Sequence, residues 1–216
     1  MSTDAAPPSE NPLADGSARG WNRLIESVGP ASLLIVIESR MGAGLRRRTS
    51  PDDVLQDVLM EAWSSRTTFE WRGVQAFRSW LLTLIDRRLA DSADYFAARK
   101  RGGAGIGVPT GGVPDGTGAH AAVEGVVTTT PSRLAMYREQ ASVMNAALAQ
   151  VPEDCREVVR LRLFDELQSG EIAARLDLGE SAVRHRFRRG VEVYRKALER
   201  FFSSRAPGAD SAPVQV

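Results

Sequence analysis

One cysteine, Cys155, and two histidines, His120 and His185, are all that the 216 residues contain of those types. A lone cysteine excludes a disulfide framework within the chain and any multi-cysteine zinc site, and it suits a reducing compartment. His120 lies in a glycine-rich stretch and His185 in an arginine-rich one, so no ligand set for a metal is assembled. No serine or cysteine nucleophile is set beside a histidine base, and the Gly-Lys-Ser/Thr of a phosphate loop is missing. These gaps argue against an enzyme, a cofactor or a small-molecule substrate. Long hydrophobic runs are missing too: Ala31 to Ile37, interrupted only by Ser32, is far too short to span a bilayer. The first 18 residues hold Asp4, Pro7, Pro8, Glu10, Pro12 and Asp15, with neither a cationic start nor an apolar core. That stretch reads as a loose tail and not a secretion signal, so a cytoplasmic protein without membrane contact is expected. Charge of one sign is not in excess either: 28 Lys and Arg against 27 Asp and Glu leave a net charge of +1. Any affinity for nucleic acid must therefore come from local patches.

What is present is a soluble globular composition, 43% apolar and 25% charged, long enough for one ordinary domain or two small ones. The composition breaks sharply in the middle, where eight of the seventeen residues from Gly102 to Gly118 are glycine, with Pro109, Pro114 and Thr128-Thr129-Thr130 nearby. Such a segment buries too little apolar surface to offset its ordering entropy. The organisation expected is a tail over 1–18, a helical lobe over 19–101, a flexible linker over 102–131, a second helical lobe over 132–202 and a tail over 203–216. With no strand-like alternation anywhere, the fold class is all-α: two small helical domains joined by a flexible Gly-rich linker.

The second lobe carries the sharpest pattern. Glu171 to Leu176, then Asp177-Leu178-Gly179-Glu180, then Ser181 onward read as helix, tight turn, helix. At 100° per residue, Val183, Phe187, Val191, Tyr194 and Leu198 fall within about an 80° arc, the buried stripe of an amphipathic helix. Ser181, Arg184, His185, Arg188 and Arg195 project from the other side. Residues 181–200 carry seven Lys or Arg against Glu192 and Glu199, a local positive field in a nearly neutral chain. One apolar side and one guanidinium side suit a DNA major groove; an ordinary solvated Arg-rich helix is the competing reading. Two more helices support this pair, one marked by Leu134, Tyr137, Ala141, Met144 and Leu148, the other opening at Pro152-Glu153-Asp154 and burying Val158, Val159, Leu161, Leu163 and Phe164. Cys155 reads as a small packing residue.

In the first lobe the clearest signal is Ser50-Pro51-Asp52-Asp53: a cap, a proline at the first helical position and two acids in the positive first turn. The helix that follows buries Val54, Leu55, Val58, Leu59 and Ala62 and leaves Asp53, Gln56, Asp57, Met60 and Glu61 on the opposite, mixed acidic and polar side. A loop with Phe69-Glu70-Trp71-Arg72-Gly73 leads into a long helix over about 75–99, with Phe77, Trp80, Leu81, Leu84 and Ile85 inward and Arg78, Arg87 and Arg88 outward. Aromatics beside arginines can stack unpaired bases and hold their phosphates; Trp63, Phe77 and Trp80 are assigned to the core.

These residues resemble the sigma-70 superfamily, and within it the two-domain extracytoplasmic-function (ECF) sigma factors of bacterial RNA polymerase. The resemblance is carried by Ser50-Pro51-Asp52-Asp53-Val54 through Trp63, by Phe77-Arg78-Ser79-Trp80-Leu81, by Leu148 through Val159, and by Glu171-Ile172-Ala173 through Arg189, over about 150 of 216 residues. It implies that the helix from Pro51 to Trp63 docks on the clamp helices of the largest subunit of core RNA polymerase through Asp53, Gln56, Asp57, Met60 and Glu61. It implies that the loop from Phe69 to Gln75 and the helix after it recognise the -10 promoter element, with Trp71, Arg72, Arg78, Arg87 and Arg88. It implies that the helix from Glu180 reads the -35 element with Ser181, Arg184, His185 and Arg188, while Arg186 and Arg189 at its flanks suit backbone contacts. An anti-sigma protein is a further partner that the resemblance admits. Several positions depart from the family's pattern: Asp177 and Gly179 in the turn, the acids Asp86, Asp91 and Asp94 on the -10 helix, and Gly190 inside the recognition helix, where glycine costs up to about 1 kcal/mol relative to alanine.

Magnitudes favour two linked contacts over one. Four arginines neutralising four phosphates give a salt slope of about -3.6, so a fourfold rise in salt weakens binding about a hundredfold. A second lobe on the same DNA, with polymerase holding both, restores affinity by about 10² to 10⁴. A relaxed linker span of about 30 Å and an extended reach near ~100 Å permit it. The alternative function is a one-component helix-turn-helix transcriptional regulator whose N-terminal lobe senses a ligand or dimerises.

Overall fold

The computed structural model describes residues 11–13, 16–100 and 130–203. Among them the chain forms nine α-helices and no strand, the all-α class that the sequence predicts. The linker expected over 102–131 and the tails expected over 1–18 and 203–216 fall mostly outside the described residues. Two compact units divide between Tyr137 and Arg138.

In the first unit α1 (Ala18–Val28) starts on Ser17, whose hydroxyl accepts from the Gly20 N–H at 3.0 Å, and ends at Gly29 in the left-handed region, φ 71°. Pro30 at the first position then opens α2 (Pro30–Arg40). Leu33 through Ile37 are all buried, so α2 is apolar nearly all round and sits within the unit, packed on the later helices α4 (Pro51–Ser64) and α5 (Val74–Lys100). A single turn, α3 (Ala43–Arg46), separates α2 from α4. The start of α4 is the expected one: Ser50 Oγ accepts from the Asp53 N–H at 3.1 Å and Asp53 Oδ2 accepts from the Ser50 N–H at 3.0 Å, a reciprocal capping box. Val54, Leu55, Val58, Leu59 and Ala62 face inward, as their spacing predicts.

Aromatic rings close the unit. Trp21 meets Trp63 at 5.2 Å and Phe77 at 5.9 Å, both edge-on, and Phe69 stacks on Trp80 at 4.9 Å. Arg78, expected on the outside, is only 6% exposed and donates to the Val28 carbonyl at 2.7 Å. The physical reason is the end of α1, where the left-handed turn at Gly29 leaves a helix carbonyl without an intrahelical donor. Arg78 is therefore a structural residue, and an outward DNA-facing role is corrected.

α6 (Pro131–Ala149) begins within the first unit, where the Tyr137 hydroxyl donates to Glu26 Oε1 at 2.6 Å and Arg133 pairs with the same carboxylate at 3.0 Å. The second unit contains the rest of α6, then α7 (Glu153–Leu163), α8 (Ser169–Leu176) and α9 (Glu180–Ser203). Its centre is Val158, Leu161, Ile172, Ala173 and Val183, flanked by Leu167, Leu176, Leu178 and Phe187. Between α7 and α8 the chain turns through Glu166 at φ 60°, and the buried Asp165 carboxylate is held by Arg160 Nη1 at 2.6 Å, with Glu157 on the other side of the same guanidinium. No helix among the described residues is long and apolar enough to cross a membrane.

Tyr194 of α9 packs edge-on against Phe164 at 6.1 Å, and burial pushes its phenol up to about 12. A folded-state value above the unfolded one, about 10, means that the neutral form is favoured on folding. The stabilisation is complete below about pH 10 and is lost as pH rises from about 10 toward 12. The second unit of Tyr194→Phe is expected to keep more of its stability across that window than the parent, measured by urea unfolding at stepped pH. Equal losses in both would contradict the assignment.

Candidate nucleic-acid interface

Three local devices aim α9. First, α8 starts on a capping box in which the Gln168 N–H donates to Glu171 Oε2 at 2.6 Å. Second, the turn from α8 is three residues long, Asp177 to Gly179, and Glu180 already belongs to α9. Asp177 takes φ 52°, ψ 51°, the left-handed geometry that an aspartate tolerates better than most residues. The Leu178 N–H then donates to the Ala173 carbonyl at 2.9 Å, and the Leu178 side chain returns to the core beside Phe187. Third, α9 crosses α7 at Gly190. A methyl group there would stand 2.5 Å from Val159 Cγ2, 3.0 Å from Cys155 Cβ and 3.2 Å from Val151 Cγ1. The glycine that looks costly in the sequence is what lets the two helices touch, and buried Cys155 lies at that crossing.

Held this way, α9 exposes Ser181, Arg184, His185, Arg188 and Arg189 to solvent and leaves Arg186 half-buried on the flank. The buried line runs through Val183, Gly190, Tyr194 and Ala197, with Phe187, Val191 and Leu198 at its edge. Carboxylates shadow several of the cations. Glu180 holds Arg184 at 2.9 Å, Asp154 of α7 holds Arg189 at 3.2 Å, and Arg195 sits between Glu192 and Glu199. Among the described residues neither Arg186 nor Arg188 has a carboxylate partner, and of the two only Arg188 is exposed.

On the first unit, the residues assigned to polymerase and those assigned to DNA meet each other. Asp57 Oδ2 accepts from Arg88 Nη2 at 2.5 Å and Nε at 3.1 Å, and Glu61 pairs with Arg87. Asp53 is engaged in the capping box, while Gln56 and Met60 are half-exposed between these pairs. In the loop before α5, Arg72 is exposed and held by Glu70 at 2.8 Å. Trp71 is half-buried, its ring 6.4 Å from those of Phe69 and Phe77, so the loop is pinned by aromatic contacts. Sequence reasoning missed the partners Glu70, Glu180 and Asp154. The Glu180/Arg184 spacing of four residues was legible as a helical pair; the Asp154/Arg189 pair, 35 residues apart, carried no local signal.

Two family models match this chain: "Sigma-70 region 2" over residues 33–101 and "Sigma-70, region 4" over residues 143–192. The chain is also similar to the RNA polymerase sigma-H factor of Pseudomonas aeruginosa, 27% identical over 147 residues that cover 68% of this chain and 72% of that protein. It is similar to the ECF RNA polymerase sigma-E factor of Escherichia coli K12, 28% identical over 164 residues that cover 75% of this chain and 83% of that protein. The sigma-E factor of Shigella flexneri matches to the same extent.

Proposed function

Because the chain belongs to the sigma-70 superfamily of RNA polymerase sigma factors, we propose that it is an ECF-type initiation factor that directs core polymerase to promoters bearing a -10 and a -35 element. It contributes specificity and no bond-making chemistry of its own. The observation that carries this reading is the occurrence of a region 2 helical unit and a region 4 helix-turn-helix in one chain, the latter presenting Ser181, Arg184, His185 and Arg188 on one solvent face. Arg188 supplies an uncompensated cation for a base edge or phosphate, and Arg186 and Arg189 flank it. In the first unit Trp71 and Arg72 stand at the loop before α5, and Arg87 and Arg88 on α5 itself, in position to hold an opened strand. Polymerase docks on Asp53, Gln56, Asp57, Met60 and Glu61 of α4. An anti-sigma protein that covers either face would silence the factor, and the working compartment is the cytoplasm.

Gel filtration with core polymerase, without DNA, tests this reading. Co-elution supports it, whereas a stable dimer of this chain that ignores polymerase supports a one-component regulator. The docking face has its own test. Gln56→Ala with Asp57→Ala is expected to weaken retention on immobilised core enzyme about tenfold or more, the loss of one or two interfacial polar contacts. Removing Asp57 also releases Arg88 from its 2.5 Å ion pair, so the double variant should bind non-specific DNA more tightly while it binds polymerase less. Full retention on polymerase rejects the face.

A further inference from the structure

We infer that Glu180 is a specificity-determining residue of α9: a carboxylate that turns the recognition helix away from bare phosphate and toward a G·C base pair. The inference rests on reading α9 as the DNA-reading helix.

Glu180 is the first residue of α9 and its side chain is 56% exposed. One carboxylate oxygen accepts from Arg184 Nη1 at 2.9 Å. The other leans over the first turn of α8, where a methyl on Gly170 would stand 3.4 Å from it. The carboxylate thus lies along the first turn of α9 beside Arg184 and borders the first turn of α8. Helix starts are where unpaired N–H groups and the helix dipole hold an anion best, and a DNA phosphate would ordinarily be welcome there. Here the chain's own carboxylate stands beside both first turns, and its negative charge repels the DNA backbone. Arg184 is neutralised by the same group, so it adds little to sequence-independent attraction.

What the pair offers instead is a pattern. The carboxylate accepts and the guanidinium donates, side by side on one face. The major-groove edge of a G·C pair presents the N7 and O6 acceptors of guanine beside the N4 amine of cytosine, the complementary arrangement. An exposed ion pair four residues apart on a helix is otherwise a minor stabilising contact, and that role would alter unfolding without altering base preference.

The test uses the full chain with core polymerase on templates whose -35 element is varied one base pair at a time, alongside a salt series on non-specific duplex. For Glu180→Ala, preference for G·C at one position is expected to fall about tenfold, the lower part of the range for a bidentate contact. Non-specific binding should tighten, with a salt slope steeper by about 0.9 as Arg184 finds a phosphate. Glu180→Gln keeps an acceptor and loses the charge, so it should retain part of the base preference while showing the tighter non-specific binding. Unchanged preference at every position in both variants, whatever happens to thermal unfolding, overturns the inference and leaves the -35 reading intact. A parent chain with no base preference anywhere along the element would sink the -35 reading itself and this inference with it.

Discussion

Replacing Arg184 and Arg188 together with alanine is expected to cut transcription from a -35-dependent promoter about a hundredfold while leaving association with core polymerase intact. Each arginine contact to a base edge is worth about 1–3 kcal/mol, and about 2.7 kcal/mol in total corresponds to that factor. The two residues are not equivalent. Arg184 donates to Glu180 at 2.9 Å, so part of its charge is already compensated and its expected share of the loss is smaller. Arg188 has no such partner among the described residues, and Arg188→Ala alone should account for the larger share of the loss. Run-off transcription and retention on immobilised core enzyme, measured on the same preparations, separate the two effects. Unchanged promoter output from the double variant would falsify the assignment of the α9 face.

The second large effect is structural. Gly190→Val should destabilise the second unit by about 3 kcal/mol or more. Even Gly190→Ala should destabilise it, although alanine is the better helix former by about 1 kcal/mol. The new carbon would stand 2.5 Å from Val159 Cγ2, a clash that only a shift of α7 against α9 relieves, and overpacking of this kind costs about 1–3 kcal/mol. The chain supplies its own reporters. Trp21, Trp63, Trp71 and Trp80 are its four tryptophans and all lie in the first unit, so tryptophan fluorescence should unfold as in the parent. Cys155 is the only cysteine, is 0% exposed and lies at the α7–α9 crossing, so its labelling by a thiol reagent reports opening of the second unit. A loss of about 2 kcal/mol should speed labelling about thirtyfold where opening limits access by equilibrium. A Gly190→Ala chain that labels no faster than the parent would show that the crossing has room.

The Gly190 case illustrates where the sequence is legible and where it is not. Local devices were readable: Ser50-Pro51-Asp52-Asp53 predicts the Ser50 cap and the start of α4, and Asp177 to Glu180 predicts the turn into α9, one residue longer than the turn observed. Both depend on residues within a few positions of one another. The apolar run from Ala31 to Ile37 gave no clear face because α2 is surrounded on nearly all sides, so periodicity, which records a boundary between oil and water, had no boundary to record. Gly190 looked like a defect because its helical cost is intrinsic to the sequence, whereas the close approach of Val159 is set by the fold.

Partner choice among charges was the least legible part of the interface. Arg78 looks like a surface cation on a helix, yet the Val28 carbonyl 50 residues earlier draws it inside. Arg88 and Asp57 are 31 residues apart, and nothing in either segment shows that the arginine assigned to DNA and the acid assigned to polymerase share a 2.5 Å contact. Such pairs also agree with the near-zero net charge. A chain whose cations are held by its own acids is not drawn strongly to nucleic acid in general.

Run-off transcription over a library of promoter templates, with core polymerase from the same organism, tests the central claim most directly. The expected result is RNA from a restricted set of templates that share two short elements at a fixed spacing, none of it made by core enzyme alone. A chain that binds core enzyme yet starts no RNA beyond the core-alone level on any template would contradict the account.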